Sequence, residues 1–167
     1  MLKKIYYKWQ DINHQVAELA HQIITSDWKP DYIVGLTRGG VTPAVMLSHY
    51  LGVKMYTLDV RLREGDDVGP ESNAWMAEDA FGYVQDPMNI LIVDDINDTG
   101  ATFNWIKQDW ASGCLPDDPR WKNVWHGNVK FAVLTNNLAS PTCVDYSARE
   151  VNKAEEDCWL VYPWELT

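Results

Sequence analysis

Ile90-Leu91-Ile92-Val93-Asp94-Asp95-Ile96-Asn97-Asp98-Thr99-Gly100-Ala101-Thr102 runs from four aliphatic residues into two adjacent carboxylates, then a third, then Thr-Gly-Ala-Thr. A short aliphatic run of this kind reads as a strand buried on both faces. The pattern predicts a strand over Asn89–Asp94, a turn over Asp95–Thr99 and a helix from Gly100 to Ala111. In an open α/β sheet the carboxyl ends of the strands form the ligand crevice. Backbone N–H groups of a Thr-Gly-x-Thr turn at a helix start, with two hydroxyls, make a cradle for a phosphate dianion. Carboxylates just upstream would repel that phosphate unless they face another part of the ligand, and sugar hydroxyls with a divalent metal are their natural partners. A phosphorylated ribose satisfies both ends. The alternative is that Asp94 and Asp95 merely cap a strand and Thr99-Gly100 merely opens a helix. The GxxxxGK[ST] and GxGxxG patterns are absent, which removes support for P-loop and dinucleotide readings.

Outward from this run, strands and helices alternate. Asp11 to Ile24 carries Ile12, Val16, Leu19, Ala20 and Ile23 at helical spacing, with Asp11 as the expected cap. Asp31–Leu36 reads as a strand, Thr37-Arg38-Gly39-Gly40 as a glycine-rich turn, Val41–Tyr50 as a helix stopped by Gly52, and Val53–Val60 as a strand. Val129–Leu134 and Cys158–Val161 read as two further strands. Apolar runs rather than strict alternation argue for an α/β fold: a mainly parallel twisted sheet with helices on both faces. Two stretches break the rhythm. Arg61–Pro87 is a long polar excursion, expected to be a lid loop with a short helix over Ala74–Phe81. Gly113–Gly127 is rich in Pro, Asp and Trp and reads as an oligomer contact or a surface excursion; its Trp121 and Trp125 suggest burial against something, another subunit being one candidate.

With 167 residues and no dividing linker, the chain is expected to form one domain. The charge is −10, from 14 Lys+Arg against 24 Asp+Glu, so the cationic surface of a nucleic-acid binder is missing. No run approaches a membrane span and no signal peptide is evident, so no membrane partner is expected. Cys114, Cys143 and Cys158 form no CxxC pair, which makes a reducing, cytoplasmic setting the default. The four histidines are isolated or on a polar helix face and read as solvated or structural.

The run Ile90–Thr102 resembles the phosphoribosyl-diphosphate (PRPP) binding motif of type I phosphoribosyltransferases. Thr37-Arg38-Gly39-Gly40 resembles the diphosphate loop of the bacterial xanthine–guanine branch. There, two glycines let backbone donors approach the anion and an arginine offers a bidentate fork. Asp157-Cys158-Trp159-Leu160-Val161-Tyr162-Pro163-Trp164-Glu165 is similar to the small C-terminal hood of 6-oxopurine enzymes.

The resemblance implies transfer of the phosphoribosyl group from PRPP to a nucleobase in purine salvage, with Mg2+ as cofactor and a homodimer or homotetramer as assembly. The core would span about 28–135 and the hood 136–167. Asp94 and Asp95 would hold the ribose, with Asp95 as direct metal ligand and Glu165 reaching the metal through water. Thr99, Gly100, Ala101 and Thr102 would clamp the 5′-phosphate, and Thr37, Arg38, Gly39 and Gly40 the diphosphate. Asp98 would be the catalytic residue, taking a proton from the purine imidazole nitrogen or stabilising positive charge. Trp159 would stack on the base and the Leu160 main chain would read its edge. Family enzymes contact the exocyclic oxygen with a lysine, and that position here is Asn136. An asparagine donates to an oxygen or accepts from an amino group, so the base stays open. A PRPP-binding regulator, or an enzyme for another acceptor such as a pyrimidine, are the alternatives.

Overall fold

The computed structural model describes residues 2–60 and 74–165. In chain order it contains β1 (Lys3–Tyr6), α1 (Trp9–Thr25), β2 (Tyr32–Thr37), α2 (Val41–Leu51), β3 (Lys54–Asp59), α3 (Ala74–Phe81) and β4 (Ile90–Asn97). These are followed by α4 (Ala101–Gly113), a 3-10 turn (Pro119–Asn123), β5 (Val129–Asn137), β6 (Tyr146–Val151) and β7 (Cys158–Val161). The expected lid falls partly on residues 61–73, outside the described residues, and its expected helix is α3.

The main sheet has the order β3-β2-β4-β5-β6, with every neighbouring pair parallel. Its strands send successive side chains to opposite faces, and both faces are covered. Val34, Leu36, Ile92 and Phe131 pack with Ala77 of α3 and with Phe103 and Ile106 of α4. Ile33, Leu91, Val93 and Leu134 pack with Ile12, Val16 and Leu19 of α1 and Leu47 of α2. This double coverage is why the strands carry continuous aliphatic runs. The chain leaves β2 toward β3 on one side, while β4 pairs with β2 on the other, so the order reverses between β2 and β4. Ligands of open α/β sheets bind at such a switch point.

Several boundaries differ from those expected. The first helix opens at Trp9, and Asp11 is its third residue rather than its cap: the Asp11 carboxylate accepts the Lys8 N–H at 2.8 Å, closing a capping box. The expected turn over Asp95–Thr99 is mostly strand, because β4 stays paired with β5 through Ile96↔Thr135 and Asn97↔Asn136. β1 and β6 were not expected. β6 adds an edge to the main sheet, and β1 pairs in parallel with β7, Lys3 opposite Cys158 and Tyr6 opposite Val161. The burial expected of Trp121 is met within its own chain. Its ring lies 5.6 Å from that of Trp125 and 5.2 Å from that of Phe81, with its indole N–H donated to the Cys114 carbonyl at 2.8 Å.

Candidate active site

Two loops meet at the switch point. After β2, residues 37–40 turn into α2, and the Thr37–Arg38 peptide is cis. This loop passes so near β4 that a Cβ on Gly39 would strike the Asp95 carboxylate and one on Gly40 the Val93 carbonyl. Glycine fits both positions because the Asp95 carboxylate at one and backbone at the other occupy the space of a side chain. After β4, Gly100 takes φ +84° as the N-cap of α4, and a Cβ there would strike Thr142. The helix start and its free amides are thereby aimed at the crevice.

Two cavities flank Asp95. One, of about 800 Å³, is lined by Arg38, Gly39, Thr42, Asp95, Trp159, Trp164 and Glu165. The other, of about 230 Å³, is walled by residues 94–103. Of the residues expected to hold diphosphate, base and metal, Arg38, Gly39, Trp159 and Glu165 share the larger space with Asp95, while Thr37, Gly40, Leu160 and Asn136 line neither cavity; Asp98, Thr99, Gly100, Ala101 and Thr102 line the smaller one. Thr37 is turned away, donating its hydroxyl to Asp59 of β3 at 3.0 Å. Thr42, in the first turn of α2, was missed; its only sequence signal is a hydroxyl just after the glycine pair.

Burial pushes both Asp94 and Asp95 toward the protonated form, Asp94 further because the Asp95 charge adds to it. Glu165 pushes Asp95 the same way. Among the described residues no group of three His, Cys, Asp or Glu side chains is arranged to cage a metal. Asp95 and Glu165 facing one cavity nevertheless fit a cation that keeps waters and ligand oxygens, as Mg2+ does, and such a cation relieves their repulsion. Tyr162 steadies this region by donating its hydroxyl to the Asp95 carbonyl at 3.0 Å, and its ring stacks on Trp164 at 4.9 Å.

Trp159 is 54% exposed on the cavity rim, a bare ring rather than a core residue. Leu160, the next residue, is buried in the core cluster that includes Ile12 and Leu19 of α1. Asn136 lies beside the smaller cavity and accepts the Asn97 side-chain N–H at 2.9 Å. Two buried asparagines organise this corner and were not foreseen. Asn97 also donates to the Thr142 carbonyl at 2.8 Å. Asn137 donates to the Asp98 carbonyl at 2.9 Å and accepts the Lys153 backbone N–H at 3.1 Å.

A family model described as the phosphoribosyl transferase domain matches residues 3–164. The chain belongs to this family. Among curated members, this phosphoribosyl transferase domain is 26% identical to the xanthine-guanine phosphoribosyltransferase of Chromohalobacter salexigens, over 95% of this chain and 82% of that one. It is 23% identical to the hypoxanthine-guanine phosphoribosyltransferase of Schizosaccharomyces pombe, over 97% and 89% of the two chains. Its fold matches the crystal structure of a purine phosphoribosyltransferase from Pyrococcus horikoshii with a TM-score of 0.68 and 24% identity, covering 98% of this chain and 95% of that one. The phosphoribosyl transferase domain therefore has the parallel-sheet fold expected of its type I relatives.

Proposed function

We propose that the chain transfers the 5-phosphoribosyl group of PRPP to a 6-oxopurine, giving a nucleoside 5′-monophosphate and diphosphate in purine salvage. One observation carries this reading: an Arg-Gly-Gly loop and an Asp-Asp strand end press together across the switch point, with a phosphate-sized turn on one side and a bare tryptophan on the other. These are the contacts a diphosphate, a ribose, a 5′-phosphate and a planar base require. The relatives named above act on the same class of base.

In this reading Asp94 and Asp95 orient the ribose hydroxyls, and the amides and hydroxyls of residues 99–102 hold the 5′-phosphate. Arg38 and the Gly39 and Gly40 amides hold the diphosphate. Asp95 and Glu165 would hold magnesium brought by PRPP, and the metal would supply charge neutralisation of the leaving diphosphate. The bond from the anomeric carbon to diphosphate oxygen breaks, the purine nitrogen bonds to that carbon, and the base's remaining imidazole proton passes to Asp98. Trp159 holds the base by its face, and Leu160 meets the base edge with its main chain. A cytoplasmic dimer or tetramer belongs to the same reading.

The test is diphosphate release from PRPP and magnesium with xanthine, guanine, hypoxanthine, adenine or uracil offered separately. Release with an oxopurine is the expected result. PRPP binding with no release for any base would favour a regulator, and release with uracil alone a pyrimidine enzyme. Neither binding nor release would overturn the reading.

A further inference from the structure

Of the eight residues of β4, Asp95 alone is paired with neither neighbouring strand. The register with β2 stops at Gly35↔Val93, and the register with β5 passes from Asp94↔Val133 to Ile96↔Thr135. Side chains hold its peptide groups instead. Its N–H donates to Oδ1 of Asp94 at 2.9 Å, and its carbonyl accepts the Tyr162 hydroxyl at 3.0 Å. The Tyr162 hydroxyl is backed in turn by Oγ1 of Thr135 at 3.2 Å, and both residues are buried. Tyr162 also holds the second acid of the larger cavity. Its backbone N–H donates to Oε2 of Glu165 at 2.9 Å, and its carbonyl accepts the Glu165 N–H at 3.0 Å. Its ring stacks on Trp164, which lines the same cavity as Asp95 and Glu165. One residue thus anchors both carboxylates that face a single space.

Resting on the function proposed above, we infer that Tyr162 is a positioning residue for the phosphoribosyl donor: it sets where Asp95 and Glu165 stand, and so how well they receive PRPP with its magnesium. Like charges facing one cavity repel, so they keep their spacing only if something else holds them. That spacing matters because magnesium demands near-octahedral oxygen geometry and tolerates little displacement of its ligands. Tyr162 lines neither cavity and acts through the two acids. The carbonyl it holds is 67 residues away in sequence, so Val161-Tyr162-Pro163 reads on its own as an ordinary core aromatic.

The test is calorimetric titration with PRPP, in magnesium and in EDTA, of wild type, Tyr162→Phe and, as control, Tyr146→Phe. The control removes a comparable hydroxyl, one that meets Oγ of Ser26 at 2.8 Å and lines no part of the crevice. Tyr162→Phe keeps the ring on Trp164 and the main-chain bonds to Glu165, and takes the donor from the Asp95 carbonyl. Affinity in magnesium is expected to fall about 5- to 30-fold, the effect of leaving one buried acceptor unpaired. In EDTA it should change by no more than about twofold, since without the cation the two acids only repel the diphosphate. Tyr146→Phe should match wild type in both buffers. Equal losses in the two buffers, or no loss in either, would overturn the inference while leaving the transferase reading intact. Wild type that binds no PRPP overturns both. Should Tyr162→Phe fail to fold, Thr135→Val and Thr135→Ser decide. Thr135→Val, which strips the oxygen that backs Tyr162, is expected to show the magnesium-specific loss and Thr135→Ser to restore binding. Equal affinities for these two variants refute the role of Tyr162.

Discussion

Asp94 and Asp95 are held partly out of water beside one another, and burial raises the pKa of each. A carboxyl raised in the folded state stabilises the fold most below the ordinary carboxylate range, and that contribution is lost as pH climbs through the raised value. Free protein should therefore be destabilised by Asp94 ionisation at neutral pH. Asp94→Asn is expected to melt about 2–4 °C higher near pH 7.5, equivalent to about 1 kcal/mol. The gain should shrink to nothing below about pH 3, where the carboxyl is protonated in the unfolded chain as well. Scanning calorimetry at the two pH values checks the sign, and transfer activity should fall in the same variant. Asp98 makes a different prediction. In the proposed mechanism it takes a proton from the base, so Asp98→Asn should lower kcat about 10²- to 10⁴-fold while PRPP affinity, read by calorimetry, stays nearly unchanged. Asp94, Asp95 and Asp98 were legible as candidate site residues because they sit in one contiguous run. Asn97 and Asn137 were not, because an asparagine's worth lies in partners that only folding supplies, such as the Thr142 carbonyl and the Lys153 amide.

The loop between β2 and α2 and the strand β4 form one unit, since Gly39 lies against the Asp95 carboxylate. Gly39→Ala must move one of them, and a displacement of this size at a binding site costs about 10- to 100-fold in kcat/KM for PRPP. Steady-state kinetics with a saturating base measures it. Gly113 at the end of α4 has open space where a Cβ would go. Gly113→Ala should keep wild-type kinetics and gain up to about 1 kcal/mol from improved helix propensity. These elements were readable locally: Gly52 stops α2 with φ +67°, and the aliphatic runs of β2, β4 and β5 announced their double coverage. β1 and β6 were unreadable for the opposite reason. Lys3-Lys4-Ile5-Tyr6 is mostly exposed, and Arg149 and Glu150 sit mid-strand in β6. Each becomes a strand only because a partner strand arrives from elsewhere in the chain.

Across the whole molecule, the insert after α4 is knitted to the core by Trp121, Trp125, Phe81 and Phe131. Trp121→Ala should lower unfolding free energy by about 3–5 kcal/mol through the cavity it leaves. Urea titration measures that loss, and ligand affinity per folded molecule should hold, since the insert lies away from the crevice residues. The sequence showed that these tryptophans need burial but not which surface provides it, because composition alone does not distinguish a chain's own core from a partner's. The pairing of β1 with β7 has its own consequence for synthesis. Trp159 sits on a strand whose partner among the described residues is β1, near the other end of the sequence. At about 5–20 residues per second, the segment carrying Trp159 follows the phosphate turn from the ribosome by roughly 3–11 s. The nascent chain thus completes the turn after β4 before the strand that carries Trp159 can pair with β1, so on the proposed reading the phosphate site is assembled before the base site.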